Sequence, residues 1–255
     1  MDNRPIGIMD SGIGGLTVAK VLYEKYGTER IVFIGDTARN PYGERRAKEI
    51  EAFAGEMKEF LLSNHVKMIL IACNTISFNV SPLYYAAPVP VIGMNLDIPI
   101  PEDTKKLGIF ATTATIRSHR HKEYFQKKKF LREIIEIPLE NLAKAIEYGV
   151  PEEDCLAMIR EAVKSCGAYD IDTAVLACTH YPLAASLFKE VLPQVRLIDP
   201  AESTVTNAIK VLREKNALSE KPGENEFFFT KNKEKAAALV KRNFGEESVL
   251  KDIVL

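Results

Sequence analysis

Two cysteines carry the clearest chemical signal in this sequence, because each ends the same short phrase. Met68-Ile69-Leu70-Ile71-Ala72-Cys73-Asn74-Thr75 is echoed by Thr173-Ala174-Val175-Leu176-Ala177-Cys178-Thr179-His180. An apolar run of this length, bounded by polar residues, reads as a buried strand of a parallel sheet. The residue just past its carboxyl end lies where open α/β sheets place their active sites. A thiol, with an ordinary pKa of about 8.5, becomes a useful base when a helix N-terminus or a cation lowers that value. One thiolate and one thiol facing a ligand from opposite sides could take a proton from one face of a stereocentre and return one to the other. A hydrolase would gain nothing from the second cysteine. Free cysteine is often a small buried hydrophobe, and Cys155 and Cys166, within helical patterning, are read that way.

Other polar residues gather at the same strand ends. Asp10-Ser11-Gly12-Ile13-Gly14-Gly15 follows an apolar run and precedes a helical one. Glycines there let backbone N–H groups approach an anion. The spacing matches neither the dinucleotide nor the nucleotide phosphate loop, so a small carboxylate suits it better. Asp10, a carboxylate ending a buried strand, needs a partner or a task. His180 sits two residues beyond Cys178, but no neighbouring Cys/His/Asp cluster completes a metal site. His65, His119 and His121 are in polar surroundings and read as surface residues. Asn74, Thr75, Thr115 and Thr179 offer amide and hydroxyl groups suited to a zwitterionic small molecule, or equally to capping helices. No cofactor motif is visible, so bound polar groups would have to stabilise any carbanion.

The elements that must hold these residues come in two matching sets. Apolar runs starting at residues 6, 31, 68 and 89 are answered by runs starting at 107, 134, 173 and 195. The offsets stay between 101 and 106 residues and the order is kept, which argues for an internal duplication with four β-α steps per copy. Helical spacing follows Gly15 and covers about 45–64, a helix is expected from Cys73 to about Tyr85, and another around 152–167. Right-handed crossovers then give each half a small parallel sheet flanked by helices. The expected fold is α/β, with two pseudo-symmetric parallel-sheet domains and an active site in the cleft between them. A tail with a helix over about 202–215, a strand at Glu226–Thr230 and a helix over about 232–243 has no counterpart in the repeat. Lys122–Glu136, rich in both charges, reads as a solvated helix face.

Composition narrows the class of partner. The 255 residues are 46% apolar and 27% charged, ordinary for a globular protein, and a net charge of −1 gives no electrostatic reason to bind nucleic acid or an anionic membrane. Ile6-Gly7-Ile8-Met9 is too short for a signal peptide and Asp10 interrupts it, so a cytoplasmic protein with reduced thiols is expected.

Asp10-Ser-Gly-Ile-Gly-Gly, Gly35-Asp36 with Pro41-Tyr42-Gly43, Ala72-Cys-Asn-Thr75, Thr112-x-Ala114-Thr115 and Ala177-Cys-Thr-His-Tyr-Pro182 together resemble glutamate racemases, of the cofactor-independent aspartate/glutamate racemase superfamily. The resemblance implies that Cys73 handles the α-proton of D-glutamate and Cys178 that of L-glutamate. It implies that Asp10 and His180 assist them, that Glu147 takes part, and that Asp10, Ser11, Pro41, Tyr42, Gly43, Asn74, Thr75, Thr115, Thr179 and His180 hold the amino acid. It further implies no cofactor or metal, a homodimer, and D-glutamate for peptidoglycan. The domains would then be 1–97 plus 207–255 and 98–206. Ala111 and Ala177 stand where such proteins usually have glycine, and a methyl beside each site would narrow the pocket. A racemase of aspartate or another small acid, and a non-catalytic amino-acid-binding protein, are the alternatives.

Overall fold

Every apolar run that ends at a candidate site residue is a strand, and each is buried along its length. In the computed structural model, which describes residues 1–139, 141–245 and 248–255, the strands are β1 (Ile6–Asp10), β2 (Ile31–Gly35), β3 (Met68–Ile71), β4 (Val91–Ile92), β5 (Lys106–Ala111), β6 (Glu133–Pro138), β7 (Thr173–Ala177), β8 (Arg196–Ile198), β9 (Glu226–Phe229) and β10 (Val249–Asp252). The helices are α1 (Leu16–Lys25), α2 (Ala47–Ser63), α3 (Asn74–Asn79), α4 (Thr113–Arg117), α5 (Arg120–Phe125), α6 (Leu142–Tyr148), α7 (Glu152–Ser165), α8 (Ala185–Val191), α9 (Ala201–Glu214) and α10 (Lys233–Phe244).

The strands form two sheets, ordered β10-β9-β2-β1-β3-β4 and β6-β5-β7-β8, with every pairing parallel. Within these, β2-β1-β3-β4 and β6-β5-β7-β8 have the same order, as the duplicated pattern requires. Each half thus places its first and third strands side by side at the centre, where Asp10 and Cys73, and Ala111 and Cys178, emerge.

The tail extends the first sheet beyond β2, where Glu226 pairs with Val32 and Phe229 with Gly35. Its second strand, β10, has no counterpart in the sequence reading. Helix α9 packs Ala201, Val205, Ala208 and Leu212 into the core shared by β1, α1 and β9.

Three local expectations change. The helix after Cys73 stops at Asn79, because Ser81 precedes Pro82 and is held extended (φ −68°, ψ 156°); Pro82–Tyr85 is a separate 3₁₀ turn. The charged stretch 122–136 is not one solvated helix, since α5 ends at Phe125, whose ring is fully buried, and β6 begins at Glu133. His121 is not a surface residue: it is 3% exposed, its ring 4.6 Å from that of Phe78, and burial lowers its pKa to about 4.

The amino-terminal edge of the first sheet is tied by a buried ion pair. Lys67 Nζ lies 2.6 Å from Glu29 Oε2, both side chains 1% exposed. The ammonium also donates to the carbonyls of Asp2 and Ala217, at 2.8 and 2.9 Å, while Glu29 Oε1 accepts from the Ser219 amide at 2.8 Å. These bonds fasten the start of the chain and the linker before β9 to one point. Removing one partner strands a buried charge. Lys67→Met is expected to lower the unfolding free energy in urea by about 3–5 kcal/mol, and Lys67→Met with Glu29→Leu should recover most of it. A single variant within about 1 kcal/mol of wild type would show that the pair is not buried in solution.

Candidate active site

The two cysteines leave their strands at equivalent places and line one small cavity. Ser11, Asn74 and Thr75 from the first half share its wall with Thr112, Thr179 and His180 from the second. The space enclosed is about 10 Å³, room for one water at most. Alternation along β3 and β7 explains the convergence. Ala72 packs into one face of the first sheet and Cys73 turns to the other; Ala177 and Cys178 divide the faces of the second in the same way. The same alternation corrects the expected narrowing of the pocket. The Ala111 and Ala177 methyl groups lie in the core with Ile98, Leu107 and Phe125, away from the cavity.

The surroundings of the two sulfurs differ. Cys73 is the residue before α3, and its Sγ lies 3.6 Å from Ser11 Oγ. Burial pushes this thiol's pKa up, and the Asp10 charge adds to that against the backbone N–H of Ile76. Beyond Cys178 the chain makes a 3₁₀ turn over Tyr181–Ala184 before α8, so no α-helix begins directly at this sulfur. Its neighbour is a cation instead: His180 Nδ1 is 3.9 Å from Cys178 Sγ, and His180 Nε2 is 2.5 Å from Glu147 Oε2. Burial opposes charge on that imidazole, but hydrogen bonding to Cys178 and Glu147 outweighs it and holds the pKa well above 6.5.

The glycine loop brings the halves into contact. Gly12 N donates to Asp10 Oδ2 at 2.9 Å and Ile13 N to Glu147 Oε2 at 3.1 Å. Two of the N–H groups expected to cradle an anion therefore hold the protein's own carboxylates. None of the loop glycines has positive φ; they are needed for close approach. A methyl on Gly12 would lie 2.6 Å from Glu147 Oε2, and one on Gly14 would lie 2.5 Å from both His180 Nδ1 and Thr179 Oγ1. Asp10 accepts from Thr179 Oγ1 at 3.3 Å, and burial raises its pKa despite the opposing His180 charge and backbone N–H groups.

The remaining expected residues divide between the wall and the layer behind it. Pro41, Tyr42 and Gly43 reach the cavity, while the Tyr42 hydroxyl donates to Asp36. Asp36 also accepts from Arg39 and, at 2.8 Å, from Thr230 Oγ1 of the tail. Thr115 stands behind the wall, its Oγ1 3.1 Å from Thr112 and 3.5 Å from Thr75. Asp10 and Glu147 likewise lie behind it, bonded to Thr179 and His180. Asn74, 2% exposed, has neither side-chain amide atom hydrogen-bonded among the described residues. Asn40, Thr112 and Ala143 line the cavity and were not among the expected site residues; Asn40 was marked only by adjacency to Pro41, and Thr112 only as the first residue of the Thr112-x-Ala114-Thr115 motif. No group of three or more His, Cys, Asp or Glu side chains among the described residues could hold a metal, and no described helix is long and apolar enough to cross a membrane.

Two outcomes follow from this geometry. Gly14→Ala must push His180 and Thr179 off the loop, and a displacement near 1 Å costs about 100-fold in rate; a far smaller fall in turnover would contradict the contact. Second, the native state retains the His180 proton at pH values where the unfolded chain releases it. The stabilisation this gives is complete below about 6.5 and is lost as pH rises through the raised native value. The melting-temperature gap between wild type and His180→Gln should therefore narrow on going from about pH 7 to pH 10; a widening gap would reverse the assignment.

Comparison with known proteins bears on the chemistry. Residues 24–208 match the family described as Asp/Glu/hydantoin racemase. The glutamate racemase of Lactococcus lactis subsp. cremoris (strain SK11) is 36% identical over 246 residues, covering 90% of this chain and 88% of that protein. The glutamate racemase of Lactobacillus johnsonii is 32% identical over 258 residues, covering 98% and 97%. Glutamate racemase from Francisella tularensis subsp. tularensis SCHU S4, solved in complex with D-glutamate, superposes with a TM-score of 0.87 at 32% identity over 99% of this chain and 98% of that one.

Proposed function

The chain belongs to the Asp/Glu/hydantoin racemase family, and from that premise we propose that it interconverts L- and D-glutamate by two-base proton transfer between Cys73 and Cys178. One observation carries the reading: both sulfurs line a single enclosed cavity, one from each half of a duplicated fold. The relatives that cover most of the chain are named for glutamate, which supports that substrate.

In the direction from L-glutamate, the Cys178 thiolate removes the α-proton while the Cys73 thiol delivers its own proton to the opposite face. The reverse reaction exchanges these roles. The His180 imidazolium donates toward the Cys178 sulfur and stabilises the negative charge that sulfur carries once its proton is gone; Glu147 fixes the ring and balances its charge. Asp10 assists Cys73 by charge, since burial and this carboxylate together favour the protonated thiol and so the form that delivers a proton. Asn74 and Thr75 supply amide and hydroxyl groups to the substrate carboxylates, where negative charge spreads as the α-carbon loses its proton. A cavity of about 10 Å³ does not admit an amino acid, so the halves separate for entry and close to exclude water. The assignments 1–97 plus 207–255 and 98–206 are our reading of the two domains that move. Supply of D-glutamate for peptidoglycan, a cytoplasmic location and a homodimer are carried by the resemblance.

Purified protein without added cofactor should change the circular dichroism of either glutamate enantiomer and exchange its α-proton in D₂O. Cys73→Ala and Cys178→Ala should each lower racemisation by at least about 1,000-fold, because each removes one of two obligatory proton carriers. Racemisation within about tenfold of wild type in either variant would end the two-thiol mechanism.

A further inference from the structure

We propose that the side-chain carbonyl of Asn40 receives the substrate's α-ammonium, making the site selective for an amino acid over the same diacid without nitrogen. The proposal rests on the glutamate reading above and names one of its specificity contacts.

Asn40 lies in the loop between β2 and α2, on the wall of the cavity that both sulfurs share. Its Nδ2 donates to the Ser11 carbonyl at 3.0 Å. That bond fixes which way the carboxamide points, since the flipped side chain would set one acceptor against another. Oδ1 is buried and, among the described residues, has no hydrogen-bond partner. An acceptor left this way is costly unless a ligand brings a donor. Glutamate brings one kind of donor, its ammonium, because both carboxylates only accept.

The other unpaired amide on this wall completes the sorting. Among the described residues, Asn74 Nδ2 has no partner and can donate to a carboxylate, and Asn74 Oδ1 is a second unpaired acceptor. An ammonium lying between two carbonyl oxygens with a carboxylate on the adjacent N–H satisfies all three groups. The Asn40 anchor also has a catalytic consequence. It holds the backbone of Ser11, whose hydroxyl is 3.6 Å from the Cys73 sulfur, so one carboxamide relates the ammonium to the base that works beside it.

The test compares glutamate with glutarate, which has the same two carboxylates and no nitrogen. Asn40→Leu keeps the size of the side chain and removes both hydrogen bonds. We expect it to weaken both glutamate enantiomers by about 10-fold or more in calorimetric Kd, and in KM, while the glutarate Kd changes less than about twofold. Asn40→Asp loses the bond to the Ser11 carbonyl but retains an acceptor for the ammonium, so affinity falls for both ligands while the preference for glutamate over glutarate is kept. Asn40→Ala carries the same expectation as leucine if the larger side chain prevents folding. Equal weakening of glutamate and glutarate would reduce Asn40 to a wall of the pocket and overturn the proposal, as would unchanged glutamate affinity. Binding is read apart from turnover. Absent racemisation in the wild type would count against the catalytic reading, while the glutamate-to-glutarate comparison would still decide Asn40.

Discussion

One carboxylate ties the two halves of this molecule together beside the cavity. Glu147 projects from α6 of the second half, accepts the Ile13 amide of the first, and pairs with His180 beside the Cys178 sulfur. Its position depends on glycine at 12, where even a methyl group would strike it. Buried charge of this kind is retained only where opposite charge and hydrogen bonds compensate for lost solvation. The imidazolium supplies the charge and the backbone amide supplies a bond. Without that compensation neither His180 nor the glycine loop has a reason to hold its place, and the cavity between the sulfurs loses two walls at once.

Duplication explains the frame but not the chemistry around each sulfur. Both sheets run in the same strand order, and both cysteines follow an alanine that packs into the opposite face. The environments then diverge. Cys73 has a serine hydroxyl, a nearby carboxylate and a helix start; Cys178 has an imidazolium and a 3₁₀ turn. The two-base reaction proposed for this chain needs like groups in unlike protonation states, and the unequal surroundings of one repeated phrase meet that requirement.

The strand ends were legible because a buried strand writes its length in apolar residues and its end in polar ones. Cys73, Cys178, Thr75 and Thr179 were found that way, and all four reach the cavity. What escaped was information that lies in tertiary contact. His121 sits in a charged stretch, and only the fold shows that Phe78 covers it. The Ala111 and Ala177 methyls were assigned to the pocket by adjacency along the chain, whereas pleating sends them to the other face. Asn40 is a loop asparagine in sequence, and its place on the cavity wall is fixed by a bond to a carbonyl 29 positions earlier. Strand β10, Val249–Asp252, is too short and too charged at its end to announce itself before β9 offers it an edge.

Asp36 shows what the tail adds to the duplicated frame. Its carboxylate orders Tyr42 and Arg39, in the loop that walls the cavity, and is itself held by the hydroxyl of Thr230. Next to it, Thr37 and Lys231 exchange hydrogen bonds. A loop of the first half is thus braced by a segment 194 positions further along the chain. A nascent chain can assemble both halves of the repeat and both thiols and still lack this support, so the loop that walls the cavity gains its brace only after Thr230 and Lys231 have left the ribosome.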